Sequence, residues 1–252
     1  MLFRSLASFA AVALVCSAVS FMSFADVGDE FTQDELTYTV LSEDDDNNTV
    51  SVKAANKSIE GEIEIPEMVT NNGIEYTVTT IGKQAFNVCT ELTEVTIPGS
   101  VTAIGENAFY KCTSLTEVTI PDSVISIDKG AFASCESLTS IEISNSLTSI
   151  DDYTFAGCES LTKVTIPDSV TSIGDFAFSD CISLTEVTIG ALVTEIGEDS
   201  FVACVSLTLI KIPTDFDKNK FGNSGVVVGN DENKYTIVET YPVTNGEFEY
   251  YE

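Results

Sequence analysis

The chain has 252 residues, with 40 acidic against 11 basic side chains, a formal net charge of −29, no histidine and no tryptophan. So large a negative charge repels nucleic acid and anionic lipid, which excludes both as partners held by simple charge attraction. The lack of histidine excludes histidine-based acid–base catalysis and histidine-ligated metals. The length is ample for one or two domains with a sizeable core.

Residues 1–25 are typical of a cleaved export signal. Arg4 is the only charge in this segment and the only arginine in the chain, and an uncharged stretch rich in Ala, Val, Leu and Phe follows it. The stretch ends in Ser23, Phe24 and Ala25, which place small residues at the two positions that a signal peptidase reads. Its length also fits an uncleaved anchor. We expect cleavage, an extracellular or cell-surface protein, and no membrane insertion afterwards.

Residues 26–77 are strongly acidic and predict a β-rich N-terminal cap. The segments 36–40 and 49–52 alternate like strands around the polar loop 43–48, and Ile63 with Ile65 marks a further strand. We expect this cap to cover the beginning of the repeats, because an open end would expose unpaired strand edges.

Two short motifs in this flank bear on metals and glycans. The polar loop begins with the alternate spacing of a calcium loop, but Thr49 stands where that loop needs Gly and no Glu follows at its last position. We therefore expect a solvated loop, with no metal and no cofactor. Asn47 and Asn56 begin Asn-X-Ser/Thr sequences, which become glycosylated only in a eukaryotic secretory pathway.

Cysteine, phenylalanine and leucine then recur every 23 residues, which predicts a repeat architecture. The repeated positions are Cys89, Cys112, Cys135, Cys158, Cys181 and Cys204, Phe86, Phe109, Phe132, Phe155, Phe178 and Phe201, and Leu92, Leu115, Leu138, Leu161, Leu184 and Leu207. The six units are 78–100, 101–123, 124–146, 147–169, 170–192 and 193–215, so the repeats occupy residues 78–215.

Each unit predicts two short extended pieces joined by a compact turn. In the unit 101–123, Val118 and Ile120 alternate with polar residues and predict a strand with one buried face, which Pro121 ends. Residues 101–104 form the second extended piece. Between the two, apolar residues at offsets of one, three and four predict one or two helical turns. A lone unit cannot cover its apolar side chains, so the units must stack into a solenoid.

Residues 216–252 lose the 23-residue period and predict a C-terminal cap and tail. Strand-like segments remain at 226–228 and 235–238, and residues 244–252 are expected to be loose.

The repeating frame resembles the BspA-type leucine-rich repeat. One copy is Ile104-Gly105, Ala108-Phe109, Cys112, Leu115 and Ile120-Pro121. The chain departs from this frame at six positions. Asp128 and Asp151 replace Gly, Ser144 and Gly190 replace Pro, and Thr154 and Ser200 replace Ala. The resemblance implies a right-handed leucine-rich-repeat solenoid with a parallel β-sheet on one face and short helical turns on the other.

The resemblance also implies a class of function. Members of this family are similar to one another mainly as secreted or surface proteins of bacteria and some protists, and many are implicated in adhesion to host proteins or other cells. No catalytic motif accompanies the repeat, so we expect a binding module and no enzyme. The expected partner is a host or matrix protein or another cell surface. The alternative is a structural spacer or a self-associating coat component, and the oligomeric state stays open.

The six repeat cysteines are expected to form a column of buried free thiols. The oxidising environment outside the cell favours disulfide formation between the thiols of an exported protein. Neighbouring turns of a parallel stack lie about 4.8 Å apart, which is within the Cα–Cα range of a disulfide. Stacked side chains, however, point in parallel, whereas a disulfide needs two β-carbons that approach each other. The remaining role for such thiols is to pack in the core as small hydrophobic side chains.

The outward positions of the predicted sheet are the candidate binding face. Two columns contain Glu94, Glu117, Ser140, Lys163 and Glu186, and Thr96, Thr119, Glu142, Thr165 and Thr188, continued by Leu209 and Lys211. A third column, on the second extended pieces, is Thr79, Thr102, Ile125, Thr148, Thr171 and Thr194. Threonine suits exposed strand positions, which accounts for most of this pattern. The functional hypothesis is a polar binding surface of modest affinity, because it lacks aromatic and arginine anchors.

Overall fold

The computed structural model describes residues 25–43, 47–214 and 216–221, together with the backbone of a strand at 237–241. The predicted export signal apart from Ala25, the centre of the acidic loop at 44–46, the strand predicted at 226–228 and the tail 244–252 lie outside the described residues.

The N-terminal flank forms six strands, and the remainder of the described chain forms twelve more. The first six are β1 (Glu30–Gln33), β2 (Leu36–Ser42), β3 (Thr49–Ala54), β4 (Gly61–Glu64), β5 (Met68–Asn71) and β6 (Ile74–Ile81). The others are β7 (Leu92–Thr96), β8 (Ala103–Ile104), β9 (Glu117–Thr119), β10 (Ser126–Ile127), β11 (Ser140–Glu142), β12 (Ser149–Ile150), β13 (Lys163–Thr165), β14 (Ser172–Ile173), β15 (Glu186–Thr188), β16 (Glu195–Ile196), β17 (Leu209–Pro213) and β18 (Ile237–Tyr241). In the described residues the helical content is one 3₁₀ turn, Lys218–Phe221.

The two extended pieces of each repeat form two parallel stacks of strands. We call the strands β4, β7, β9, β11, β13, β15, β17 and β18 the front sheet, which consists of two four-stranded ladders that meet between β11 and β13. We call the strands β6, β8, β10, β12, β14 and β16 the side sheet, whose ladder is interrupted between β10 and β12. Within each ladder a repeat residue pairs with the residue 23 positions later, as Val95 does with Val118 and Val164 with Val187. The predicted solenoid of 23-residue turns is therefore confirmed.

The N-terminal strands extend the side sheet. β1, β2 and β3 form an antiparallel meander, and β3 pairs in parallel with β6. The rings of Phe31 and Tyr38 stack 5.3 Å apart, and Tyr38 and Tyr76 are fully buried. The meander thus covers the edge of the side sheet. The front sheet instead begins with β4, which pairs only with β7 among the described strands.

The segment between the two extended pieces consists of consecutive β-turns, so the predicted helical turns are wrong. The N–H groups of Gln84, Phe86 and Val88 donate to carbonyls of the next repeat, whereas those of the residues between them donate to the carbonyl three positions earlier. Gln84 and Val88 have φ values of 55° and 62°. Because alternate N–H groups bond to the neighbouring turn and positive φ values interrupt the helical path, no helix can form.

The core is a set of columns running along the stack. Phe86, Phe109, Phe132, Phe155, Phe178 and Phe201 are all buried, and successive rings stack with centroids 5.1–5.6 Å apart. The Cys side chains and the Leu side chains, of which all but Leu207 are buried, form parallel columns beside them. Each repeat therefore fills its apolar space with the same side chains, and the neighbouring repeats supply the second layer that a single repeat lacks.

At the far end of the stack, β18 pairs in parallel with β17. Its register joins Leu209 to Ile237 and Pro213 to Tyr241. The strand predicted over 235–238 thus overlaps an observed strand, displaced toward the C-terminus, that continues the front sheet.

Candidate binding surface

The ten candidate binding residues lie together on five adjacent strands of the front sheet. Each of these strands contributes two outward side chains on either side of one buried apolar residue, as Glu94 and Thr96 flank Val95. Eight of the ten side chains are exposed, and Glu186 and Thr188 are half-buried. Period-2 alternation along each strand and the 23-residue register between strands produce this arrangement.

The structure adds one strand that sequence reasoning left out of the face. β4 pairs with β7 in a register that puts Glu62 beside Glu94 and Glu64 beside Thr96. The sequence signal was available, because Ile63 and Ile65 followed by Pro66 repeat the apolar alternation and terminal proline of the later strands. The front sheet therefore starts one strand before the first counted repeat.

The charges on this sheet are segregated, and its N-terminal part is acidic. We call Glu62, Glu64, Glu94, Glu117 and Glu142 the acidic half. All five are exposed, and none forms an ion pair with another described residue. The register places Glu62, Glu94 and Glu117 side by side on successive strands. Like charges in adjacent cross-strand positions repel one another, so this arrangement raises the free energy of the unbound protein.

The C-terminal part of the sheet is neutralised within the protein. Lys163 Nζ lies 2.9 Å from one carboxylate oxygen of Glu186, and Lys211 Nζ lies 2.7 Å from the other. Hydrogen bonds from Lys211 and Lys163 hold the pKa of Glu186 below its usual value. The front sheet thus presents a free acidic half and a compensated half.

Two open grooves run over the front sheet. One, of about 340 Å³, lies over β7 and β9 and is lined by Glu94, Thr96, Glu117 and Thr119. A second groove of about 500 Å³ lies over β11 and β13. The first is lined mainly by outward strand side chains, and the second also by the turns that follow its strands, including Asn145 and Asp168. The surface suits an elongated partner.

Most threonine columns have a structural explanation. Thr116 Oγ1 donates to the Thr93 carbonyl at 3.2 Å, and the same bond recurs at Thr139, Thr185 and Thr208. In the third predicted column, hydroxyls at three positions, Thr102, Thr171 and Thr194, also donate to the carbonyl one turn earlier. These side chains hold successive turns together. Sequence reasoning missed this role, although the 23-residue spacing of threonine signalled it.

The outward threonines of the front sheet differ from these columns in their hydrogen bonding. Among the described contacts, the hydroxyls of Thr96, Thr119, Thr165 and Thr188 make no hydrogen bond to the preceding turn. They remain available as donors and acceptors, and Thr96 and Thr119 lie on the same strands as Glu94 and Glu117 of the acidic half.

The six repeat cysteines are buried and form no disulfide with one another, and each of the last five donates its thiol to a backbone carbonyl. Cys112 Sγ lies 3.1 Å from the Phe86 carbonyl, and Cys135 Sγ lies 3.2 Å from that of Phe109. Burial raises the pKa of Cys112 and of Cys158 to about 12. A thiol held protonated in this way is a poor nucleophile and a poor metal ligand.

Two further properties concern the described part of the chain. It contains no group of three or more Asp, Glu or Cys side chains placed to hold a metal ion. Nor does it contain a helix with the length and hydropathy needed to cross a bilayer.

Residues 66–159 and 148–225 match the BspA type leucine rich repeat region, with six copies. The chain belongs to the BspA-type leucine-rich repeat family. The resemblance seen in the sequence is thereby confirmed, together with its fold class. Among curated proteins the chain has no significant match.

The chain is similar to solved structures of bacterial leucine-rich repeat proteins. A leucine-rich repeat protein of T. pallidum is 29% identical, with a TM-score of 0.59 over 71% of this chain and 91% of its own. A leucine-rich repeat protein of Eubacterium ventriosum is 23% identical, with a TM-score of 0.49 over 75% of this chain and 46% of its own. A leucine-rich cell surface protein of Faecalibacterium prausnitzii is 19% identical, with a TM-score of 0.41 over 81% of this chain and all of its own.

Proposed function

We propose that this BspA-type protein is an extracellular or cell-surface binding module whose front sheet holds a cationic region of another protein. The observation that carries the proposal is the acidic half, five exposed carboxylates without an ion-pair partner among the described residues. The export signal read from residues 1–25 supports a location outside the cell.

The repulsion between neighbouring carboxylates supports a positively charged partner. Glu62, Glu94 and Glu117 occupy adjacent ladder positions, where only screening by salt relieves their mutual repulsion. Lysine or arginine side chains of a partner would remove that repulsion and form new ion pairs. Such complementarity mainly increases the association rate and specificity, and it weakens as ionic strength rises.

The polar side chains between the carboxylates support recognition of a protein surface. Thr96 and Thr119 present unengaged hydroxyls beside Glu94 and Glu117 in the groove over β7 and β9. The surface lacks a large aromatic anchor at these positions, so we expect modest affinity at a single site and a gain from multivalent display.

A charge-matched pair of variants tests the proposal. The front-sheet variant carries Glu94→Lys and Glu117→Lys. The control carries Glu136→Lys and Glu159→Lys, two exposed residues in the turns between strands, so both proteins gain the same net charge. Binding to poly-lysine and to a panel of immobilised extracellular-matrix proteins is measured by surface plasmon resonance at about 0.1 M salt.

We expect the front-sheet variant to lose at least about tenfold in affinity for the bound members of the panel, and the control to change by about twofold or less. Equal losses in the two variants would mean that net charge alone governs binding, and binding to no panel member would also contradict the proposal. Sedimentation velocity of the same samples tests the spacer alternative, because a self-associating coat component would form concentration-dependent oligomers.

A further inference from the structure

The front sheet has an open edge at β4. The N–H of Gly61 donates to the Glu91 carbonyl at 2.9 Å, and that of Ile65 donates to the Thr96 carbonyl at 3.1 Å. Because successive residues of a strand face opposite neighbours, the N–H and C=O groups of Glu62 and Glu64 point away from β7. No described strand pairs with that side of β4, since the N-terminal meander extends the side sheet instead.

A groove of about 560 Å³ borders this edge. Buried apolar side chains from β2, β4 and β5 form its floor, and Met68 stands in it with 52% of its surface exposed. Acidic side chains surround it, and no lysine lines it. The acidic lining residues are Asp34, Glu35, Glu62 and Glu64, and the apolar ones include Leu36, Tyr38, Ile63 and Val69.

We propose that β4 accepts an extended, cationic segment of a partner protein as an additional strand of the front sheet. The partner's backbone pairs with the outward N–H and C=O groups of Glu62 and Glu64. Alternate side chains of the segment then face opposite sides of the sheet. Apolar side chains contact Met68 and the groove floor, and lysine or arginine side chains meet the carboxylates. Strand addition of this kind takes its affinity from main-chain hydrogen bonds and its specificity from alternate side chains.

Charge complementarity selects this occupant over a second copy of the chain. Charged side chains on an exposed edge discourage pairing between identical edges. Glu62 and Glu64 perform that role toward another molecule of net charge −29, which brings further negative charge to the groove. The same carboxylates attract a cationic strand. This inference goes beyond the proposed function, because it adds main-chain pairing at the edge of β4, whereas the carboxylates of Glu62 and Glu64 serve both.

The test uses the full chain and a blocked peptide in which lysine and valine alternate over seven residues. Its partner probe has the same side chains but N-methyl groups on alternate amides, which removes the donors needed for strand pairing. We expect the unmodified peptide to bind and the methylated peptide to bind at least about tenfold more weakly. Equal affinities, or no binding of either peptide, would overturn the proposal.

Two variants of one residue separate charge from backbone. Glu64→Gln removes the carboxylate and keeps the outward N–H, whereas Glu64→Pro removes both. We expect Glu64→Pro to bind the lysine–valine peptide at least about threefold more weakly than Glu64→Gln, with circular dichroism confirming that both fold. Indistinguishable affinities would contradict strand addition.

A third variant leaves the backbone untouched. Met68→Lys places a positive charge in the groove at an exposed position, so the fold is kept. It should weaken binding of the lysine–valine peptide by at least about threefold, and an unchanged affinity would contradict the assigned groove. The Glu94 and Glu117 reversals keep the β4 edge intact. Methylation-sensitive peptide binding by that variant would therefore uphold strand addition even if the proposed function fails.

Discussion

Replacing Cys112 and Cys158 by alanine should make the stability of the solenoid less sensitive to alkaline pH. Both thiols are fully buried, and burial raises the pKa of each to about 12 from an ordinary value of 9.0. The folded state therefore keeps these protons up to about pH 12, whereas the unfolded state releases them above about pH 9. The stability that the protonated thiols confer is present below the unfolded pKa and is lost as the pH rises toward the folded value.

The magnitude follows from linkage. Between the two pKa values each thiol costs about 1.4 kcal/mol of unfolding free energy per pH unit. From about pH 8 to about pH 10, Cys112 and Cys158 together should therefore remove roughly 3 kcal/mol from the wild type. Other groups with raised pKa values, including Tyr38 at about 12, titrate in both proteins and cancel in the comparison.

The assay is urea unfolding followed by circular dichroism, with a reducing agent present, at about pH 7, 8, 9 and 10. The Cys112→Ala, Cys158→Ala double variant is expected to be less stable than the wild type at neutral pH, because each truncation leaves a small cavity. Its loss of stability on going to pH 10 should nevertheless be smaller by roughly 3 kcal/mol. Equal losses in the two proteins would refute the assignment of buried, protonated thiols.

Three further changes probe the turns, the core and the front sheet. Gly157→Ala should lower the free energy of unfolding by about 1 kcal/mol, because Gly157 has φ +70°, which an L-residue adopts only with strain. Gly99→Ala, with open space around it, should change that free energy by about 0.5 kcal/mol or less in the same urea titration. Equal losses in the two variants would contradict this reason. Phe132→Ala should lower the free energy of unfolding by about 3–5 kcal/mol through loss of buried contacts, and Tyr153→Ala, at an exposed position, by about 1 kcal/mol. Similar decreases of the melting temperature in the two variants would argue against a continuous column of stacked rings. Glu186→Gln should cost about 1 kcal/mol at neutral pH. Because the pKa of Glu186 is lowered in the folded protein, the extra stability of the wild type over Glu186→Gln is present above the pKa of Glu186 in the unfolded chain. It is lost as acid protonates the carboxylate. A stability difference between the two proteins that persists at low pH would be inconsistent with ion pairing.

The repeating strands could be predicted from sequence because their pattern is local. Val118 and Ile120 alternate with polar residues, and Pro121 ends the strand, so the buried face follows from residue order alone. The 23-residue period then fixes which residues become neighbours. For this reason the ten candidate residues fall on one surface as predicted columns, with no need to know the handedness or curvature of the stack.

The turn segment was mispredicted because its conformation depends on the neighbouring repeat. Ala108, Phe109 and Cys112 have helical offsets, yet the N–H of Phe109 donates to the Ala131 carbonyl of the next turn. A residue cannot also donate that proton to the carbonyl four positions earlier, so stacking replaces the helix. Nothing within a single repeat encodes that competition.

The sequence by itself determined the stack, its core columns and its acidic character, since each depends on composition and on a fixed period. Tertiary structure decided which ladder the N-terminal meander extends, which carboxylates find lysine partners, and which strand keeps an open edge. β3 pairs with β6 and leaves β4 uncovered, while Lys163 and Lys211 neutralise Glu186 from the strands on either side. These outcomes depend on pairing between residues distant in the chain, and local preference does not determine such pairing.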